Sequence, residues 1–214
     1  MRIFEKYVEN PEQLSGRLGY FLGSFDPLHE GHVSVVEKIF SEQLCENILV
    51  YCVNGHGTYK NRSDFRHRTD FCAEKFRDFD KVTVSYLSPQ ELQKKLAVEV
   101  EENHIKISDS LQISAIIGSD IVKNLYRVNE NPEIELSRRF LLKNYMSGLI
   151  IPENFRESIA CAIALPANDF IVALREDDRF EDIPSEICGK KVRAVIEVTE
   201  TRRISSSKIR SFIR

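Results

Sequence analysis

Ten residues, Gly23-Ser-Phe-Asp-Pro-Leu-His-Glu-Gly-His32, constrain this chain more than any other stretch. A short apolar run, Leu18-Gly-Tyr-Phe-Leu22, precedes them, and a helical pattern, Val33-Ser-Val-Val-Glu-Lys-Ile-Phe40, follows. The order reads strand, glycine-bearing turn, helix start. At such junctions α/β proteins hold phosphates on free backbone N–H groups. His29 and His32 stand three residues apart at the mouth of the helix, a spacing that lets both rings share one face and enter one cleft. Two imidazoles beside a phosphate-cradling turn point to work on a phosphoanhydride.

Around this junction, strand-like runs alternate with helical patterns, the order of a parallel sheet covered on both faces. Strands are predicted at Leu18–Leu22, Ile48–Val53, Val82–Tyr86, Ser114–Ile117, Phe170–Leu174 and Val192–Val198. Helices are predicted at Val33–Glu42, Asp64–Phe79, Pro89–Asn103, Asp120–Tyr126, Pro132–Met146 and Glu181–Ile187, with a short final one from Ser206. Ser63-Asp64, Ser88-Pro89 and Asn131-Pro132 supply start signals. The expected fold is a doubly wound, Rossmann-like α/β domain with helices on both faces of a parallel sheet. With 214 residues, one domain spanning 1–214 is the natural expectation. The stretch 127–168 is set aside as a helical insertion. Its amphipathic run Glu135–Tyr145 reads as an enlarged connection packed on the sheet, or as a lid or homo-oligomer contact.

Composition narrows the partners. With a net charge of −3 and 29% charged residues, no global field favours nucleic acid or an anionic membrane, so basic residues must act locally. The longest apolar run, Ile159–Leu165, is too short to span a bilayer, and Met1–Tyr7 lacks the apolar core of a secretion signal. The five cysteines (Cys45, Cys52, Cys72, Cys161, Cys188) show no Cys-x-x-Cys spacing, which argues against a disulfide framework or zinc site and suits a cytoplasmic setting. No carboxylate or histidine cluster has the spacing of a metal cage.

The pattern Gly23-x-Phe-Asp-Pro-x-His-x-Gly-His32 resembles the nucleotide-binding turn of the nucleotidylyltransferase superfamily. Ile204-Ser-Ser-Ser-Lys-Ile-Arg210 is similar to that family's Ile-Ser-Ser-Thr-x-Ile-Arg segment. Ile116-Ile-Gly-Ser-Asp120 resembles the Gly-Ala-Asp step of the nicotinate mononucleotide adenylyltransferases. The three stand in the family's order and bracket almost the whole chain. The resemblance implies an adenylyltransferase that joins nicotinate or nicotinamide mononucleotide to the AMP of ATP, with magnesium carried on the triphosphate and pyrophosphate released. A pantetheine-phosphate adenylyltransferase is the alternative within the class. A catalytically silent nucleotide sensor is the alternative outside it.

Adenylyl transfer asks a protein mainly to align groups and to neutralise developing charge. His29 and His32, as N–H donors, suit that task at the α- or β-phosphate. Within the same turn Gly23, Ser24, Phe25 and Gly31 are candidates for ATP: Gly23 allows close backbone approach, and Gly31 lets the helix begin against the nucleotide. Asp26-Pro27 is read as fixing the loop, with Asp26 structural rather than catalytic. Ser205-Ser206-Ser207 reads as a helix N-terminus with Arg210 one turn on, a combination suited to the β- and γ-phosphates. Gly118 and Asp120 end a predicted strand at the sheet's carboxyl edge. The resemblance gives Asp120 a ribose or mononucleotide role. It places Arg175 near adenine or phosphate, and Lys60 and Arg68 at the mononucleotide phosphate. Two features depart from the family: Val128 stands where a tryptophan is common, and His56-Gly-Thr-Tyr-Lys60 replaces a Pro-Pro-His-Lys stretch. Tyr126 or Tyr59 is left to stack on the pyridine.

Overall fold

The structure, a computed structural model, describes residues 13–14, 16–52, 62–86, 102, 106–107, 112–120, 122, 167–175, 178–187 and 190–198. The strands are β1 (Gln13–Leu14), β2 (Arg17–Gly23), β3 (Asn47–Cys52), β4 (Val82–Ser85), β5 (Lys106–Ile107), β6 (Gln112–Gly118), β7 (Asp169–Ala173), β8 (Glu186–Ile187) and β9 (Lys190–Ile196). Two α-helices are described, α1 (Glu30–Ser41) and α2 (Phe65–Lys75). Seven strands form one sheet in the order β4-β3-β2-β6-β7-β9-β8. All neighbours are parallel except β8 and β9. Strands β1 and β5 make a separate two-stranded parallel pair.

The chain leaves β2 in one direction to build β3 and β4, then returns to the other side of β2 to build β6, β7 and β9. This reversal puts a crevice at the carboxyl ends of β2 and β6, where the loops diverge to opposite faces. The six predicted strands are all present, within two residues at each end.

Period-two alternation sorts the sheet residues onto two buried faces. Phe21, Ile48, Val50, Val84, Ile116, Ile171 and Ile196 share a core with α1 and α2. Tyr20, Leu49, Tyr51, Ala115, Phe170 and Val172 alternate with them and are buried as well, so both faces of the sheet are covered. Helix α1 contributes Val33, Val36 and Ile39, a stripe at helical spacing. Helix α2 contributes Arg68, Thr69 and Cys72, and is started by Asp64, whose carboxylate accepts the His67 N–H at 3.0 Å. At the amino ends of β2, β6 and β7, Arg17 donates to Asp169 (2.7 Å) and Ser114 (2.9 Å), and Ser114 donates to Asp169 (2.5 Å). These bonds fix three strands at the end opposite the crevice.

Two predicted elements change. Helix α1 begins at Glu30, three residues before the expected Val33, so His32 lies inside its first turn. The helix predicted at 181–187 is instead a short 3₁₀ turn, Phe180–Asp182, followed by β8. Pro184 lacks the N–H a continuing helix needs, and pairing of Glu186 with Lys191 sets opposite charges across an antiparallel ladder. Asp120 and Val122 are helical, as expected, and Ser119 is helical as well. The predicted helices at 132–146 and from Ser206, and nearly all of those at 89–103 and 120–126, lie outside the described residues, as does all but 167–168 of the segment 127–168.

Ile39 is fully buried, whereas Phe180 is 48% exposed. Urea denaturation is expected to show Ile39→Ala costing about 2–5 kcal/mol, and Phe180→Ala no more than about 0.5 kcal/mol.

Candidate active site

The turn after β2 is held in a conformation that a chain does not adopt unaided. Phe25 has φ of 42°, in the left-handed region, at a cost of roughly 1–3 kcal/mol for a residue of this kind. Packing offsets it. The Phe25 ring is buried edge-on against Phe21 (centroids 5.1 Å apart) and His32 (5.0 Å). A Cβ on Gly23 would meet this ring at 2.7 Å. Gly23 therefore lacks a side chain so that Phe25 can fold back beneath the strand end. Phe25 itself is a wall behind His32. Its ring is not presented to a ligand, so any contact it makes with ATP runs through its backbone.

Residues about forty positions further on clamp this turn. The Asp26 carboxylate accepts the Ser63 N–H (3.0 Å) and the Ser63 hydroxyl (2.6 Å). Arg62 donates to Ser24 Oγ at 3.1 Å. Arg68 reaches up from α2 to donate to the carbonyls of Ser24 (2.6 Å) and Ser63 (3.0 Å). Asp26 is thus structural, as its sequence context predicts. Arg68, expected at the mononucleotide phosphate, is 4% exposed and braces the turn from below. Arg62 and Ser63 were not foreseen in the site. Ser63 was legible only as part of a helix start.

His29 occupies the N-cap position of α1 without a side-chain cap bond, and His32 is the third residue of its first turn. Their ring centroids lie 3.9 Å apart. The His29 backbone N–H donates to His32 Nδ1 at 3.2 Å, so that nitrogen carries no proton and the neutral ring holds its N–H at Nε2. Among the described residues, neither buried ring nitrogen of His29 has a hydrogen-bond partner. Buried polar atoms left this way are costly and mark a place where a polar ligand would be met. Burial first, then the Arg175 guanidinium, lowers the His29 pKa to about 4, against a smaller upward pull from Glu30. Burial, His29 and Arg175 hold His32 well below 6.5. At neutral pH both are uncharged N–H donors at the positive end of a helix dipole. Gly31 lies between them, half-buried in the same turn.

The ends of β6 and β7 complete the crevice. Arg175 Nε lies 3.2 Å from Asp120 Oδ1, and the Arg175 N–H donates to the buried Ser119 hydroxyl at 2.9 Å. Both ion-pair side chains are partly exposed. A Cβ on Gly118 would collide with the Asp120 carboxylate and approach Arg175 Nε to 3.1 Å, so this glycine leaves room for the pair above it. The fold therefore brings together Gly23, Ser24, Phe25, His29, Gly31, His32, Gly118, Asp120 and Arg175. Lys60, Ser206, Ser207 and Arg210 lie outside the described residues, as do Tyr59 and Tyr126. Among the described residues no three His, Cys, Asp or Glu side chains converge as metal ligands, and no helix is long and apolar enough to cross a membrane.

A proton NMR titration should find His29 protonating near pH 4 rather than near 6.5. Since an unfolded imidazole protonates first, this histidine's contribution to stability is complete above about 6.5 and declines as pH falls toward 4. A midpoint near 6.5 would contradict the burial of this ring.

The cytidylyltransferase-like family matches residues 20–212. A Fusobacterium nucleatum protein, named as a probable nicotinate-nucleotide adenylyltransferase, is 24% identical over 201 residues, covering 92% of this chain and 88% of its own. The Plasmodium falciparum nicotinic acid mononucleotide adenylyltransferase complexed with NaAD is similar in fold, with a TM-score of 0.56 at 17% identity over 92% of this chain and 84% of that one. The same enzyme complexed with APC gives 0.54 at 16% identity, over 92% and 83%. With its doubly wound sheet and paired histidines at the crevice, this chain belongs to the cytidylyltransferase-like family and is a nucleotidyltransferase.

Proposed function

We propose that the protein transfers the adenylyl group of ATP to the phosphate of nicotinate or nicotinamide mononucleotide, forming the pyridine dinucleotide of NAD biosynthesis and releasing pyrophosphate. One observation carries this reading: two neutral imidazoles at a helix N-terminus share the crevice with the Asp120–Arg175 pair. Similarity to nicotinate-nucleotide adenylyltransferases supports the choice of acceptor.

In this reaction an oxygen of the mononucleotide phosphate attacks the α-phosphorus, and the bond to the bridging oxygen of pyrophosphate breaks. Charge builds on the non-bridging oxygens as the phosphorus inverts. His32 presents Nε2–H there, oriented by the backbone bond to Nδ1, and His29 adds a second donor. Neutral donors suit the step, because they stabilise charge without holding the product pyrophosphate as tightly as fixed cations would. Arg175 supplies the positive field, and Asp120 orients it while offering an acceptor to a ribose hydroxyl. Lys60 is proposed for the mononucleotide phosphate, and Ser206, Ser207 and Arg210 for the β- and γ-phosphates. Imidazole N–H groups and a guanidinium do not fit a protein-held magnesium, so the metal enters as part of the MgATP substrate.

The test is pyrophosphate release from MgATP with nicotinate mononucleotide, nicotinamide mononucleotide and phosphopantetheine in parallel. Turnover is expected with a pyridine mononucleotide, and turnover with phosphopantetheine alone would overturn the reading. In the same assay His32→Ala is expected to lower kcat by roughly 10²–10³ while ATP binding changes far less. Near-native kcat in that variant would remove His32 from the chemistry.

A further inference from the structure

Two thiols that the sequence holds twenty residues apart meet beneath the catalytic turn. Cys52 Sγ and Cys72 Sγ are 3.5 Å apart and both residues are fully buried. Cys52 ends β3 directly opposite Gly23, the last residue before the turn. Cys72 lies on α2 one helical turn beyond Arg68, whose guanidinium holds the Ser24 carbonyl. The pair thus joins the strand beside the turn to the helix that braces it.

We propose that Cys52 and Cys72 are a redox site at which a hydroperoxide forms a reversible disulfide that displaces the turn and switches off turnover. Both residues are fully buried, so oxidation proceeds through a local opening of the core; a small opening admits hydrogen peroxide, near the size of water, but not a disulfide tripeptide. The Cys52 thiolate attacks one peroxide oxygen. The O–O bond breaks, and a proton completes the departing water, leaving a sulfenic acid on Cys52. The Cys72 sulfur then displaces that hydroxyl as a second water, its own proton going with it. Two thiols and one peroxide give one disulfide and two waters. Either thiol can donate in the bond they share; with Cys72 donating, that bond lowers the Cys52 pKa most, Thr69 and Arg68 assist against burial, and Cys52 is the attacking partner. Cys45 is a built-in contrast. It is buried, no thiol among the described residues adjoins it, and burial pushes it up to about 12.

Closing the bond shortens the sulfur separation from 3.5 Å to about 2 Å. That draws α2 toward β3 and moves Arg68 and Ser63 against Ser24 and Asp26. Displacing reacting groups by about 1 Å can cost on the order of 10²-fold in rate. The loss of turnover rests on the adenylyl-transfer reading; formation of the bond does not.

The experiment treats the full-length protein with hydrogen peroxide, then denatures it, alkylates remaining thiols and maps the peptides by mass spectrometry. A Cys52–Cys72 linked peptide is expected, removed by dithiothreitol, with kcat reduced on the order of 10²-fold and restored by the same reductant. Cys72→Ala should keep its turnover after peroxide. Free Cys52 and Cys72 after treatment, or linkage to any other cysteine, would overturn the site. A linked peptide with unchanged turnover would overturn the switch. Equal inactivation of Cys72→Ala would do so too. If that variant does not fold, the wild-type peptide map and its reversal decide the matter.

Discussion

The site depends on one part-buried interaction, the bond from Arg68 to the Ser24 carbonyl, made from a helix that belongs to the next βα unit. The turn after β2 carries Phe25 in the left-handed region, and such a conformation persists only when its surroundings over-determine it. Arg68 holds the carbonyl before Phe25, Ser63 holds the carboxylate after it, and the Phe25 ring fills the hollow left by Gly23. Bonds to charged groups in a half-dry setting are worth roughly 1.5–3 kcal/mol each, enough together to offset the strain. The result is a rigid ledge that fixes where α1 begins and hence where His29 and His32 point.

That ledge explains the electrostatic character of the crevice. His32 packs on Phe25 and His29 packs on His32, and the burial of both rings disfavours an imidazolium. Arg175 adds a cation nearby and pushes both further toward the neutral form. Among the described residues, the positive potential at the crevice therefore comes from the α1 dipole and the Arg175 guanidinium, while the imidazoles hold directed N–H groups. This division suits a step in which charge moves from one oxygen set to another.

Much of this was readable in the sequence, for identifiable reasons. Runs such as Asn47–Cys52 and Asp169–Ala173 are short, apolar and hold β-branched residues, and they are interior strands of the sheet. The decapeptide gave the junction and both histidines, because strand, glycine turn and helix start are local signals. Pairings across the fold left no local trace. Nothing near Arg68 marks it as a brace for a residue 44 positions earlier, and Cys52 and Cys72 look unrelated until β3 and α2 pack. The segment 181–187 misled because Ile183 and Ile187 are spaced as on a helix, whereas Pro184 and the partner β9 impose a turn and a strand.

If the braced turn governs catalysis by aiming the histidines, the loss of the brace and the loss of a histidine must not be independent. The most direct test is a double-mutant cycle on kcat between Ser63→Ala, which removes the hydroxyl bond to Asp26, and His32→Ala. Ser63→Ala alone is expected to lower kcat about tenfold or more. In the His32→Ala background the same change should have little further effect, since the group it positions is already gone. Fully additive losses would contradict the account and leave the clamp as a contribution to stability alone.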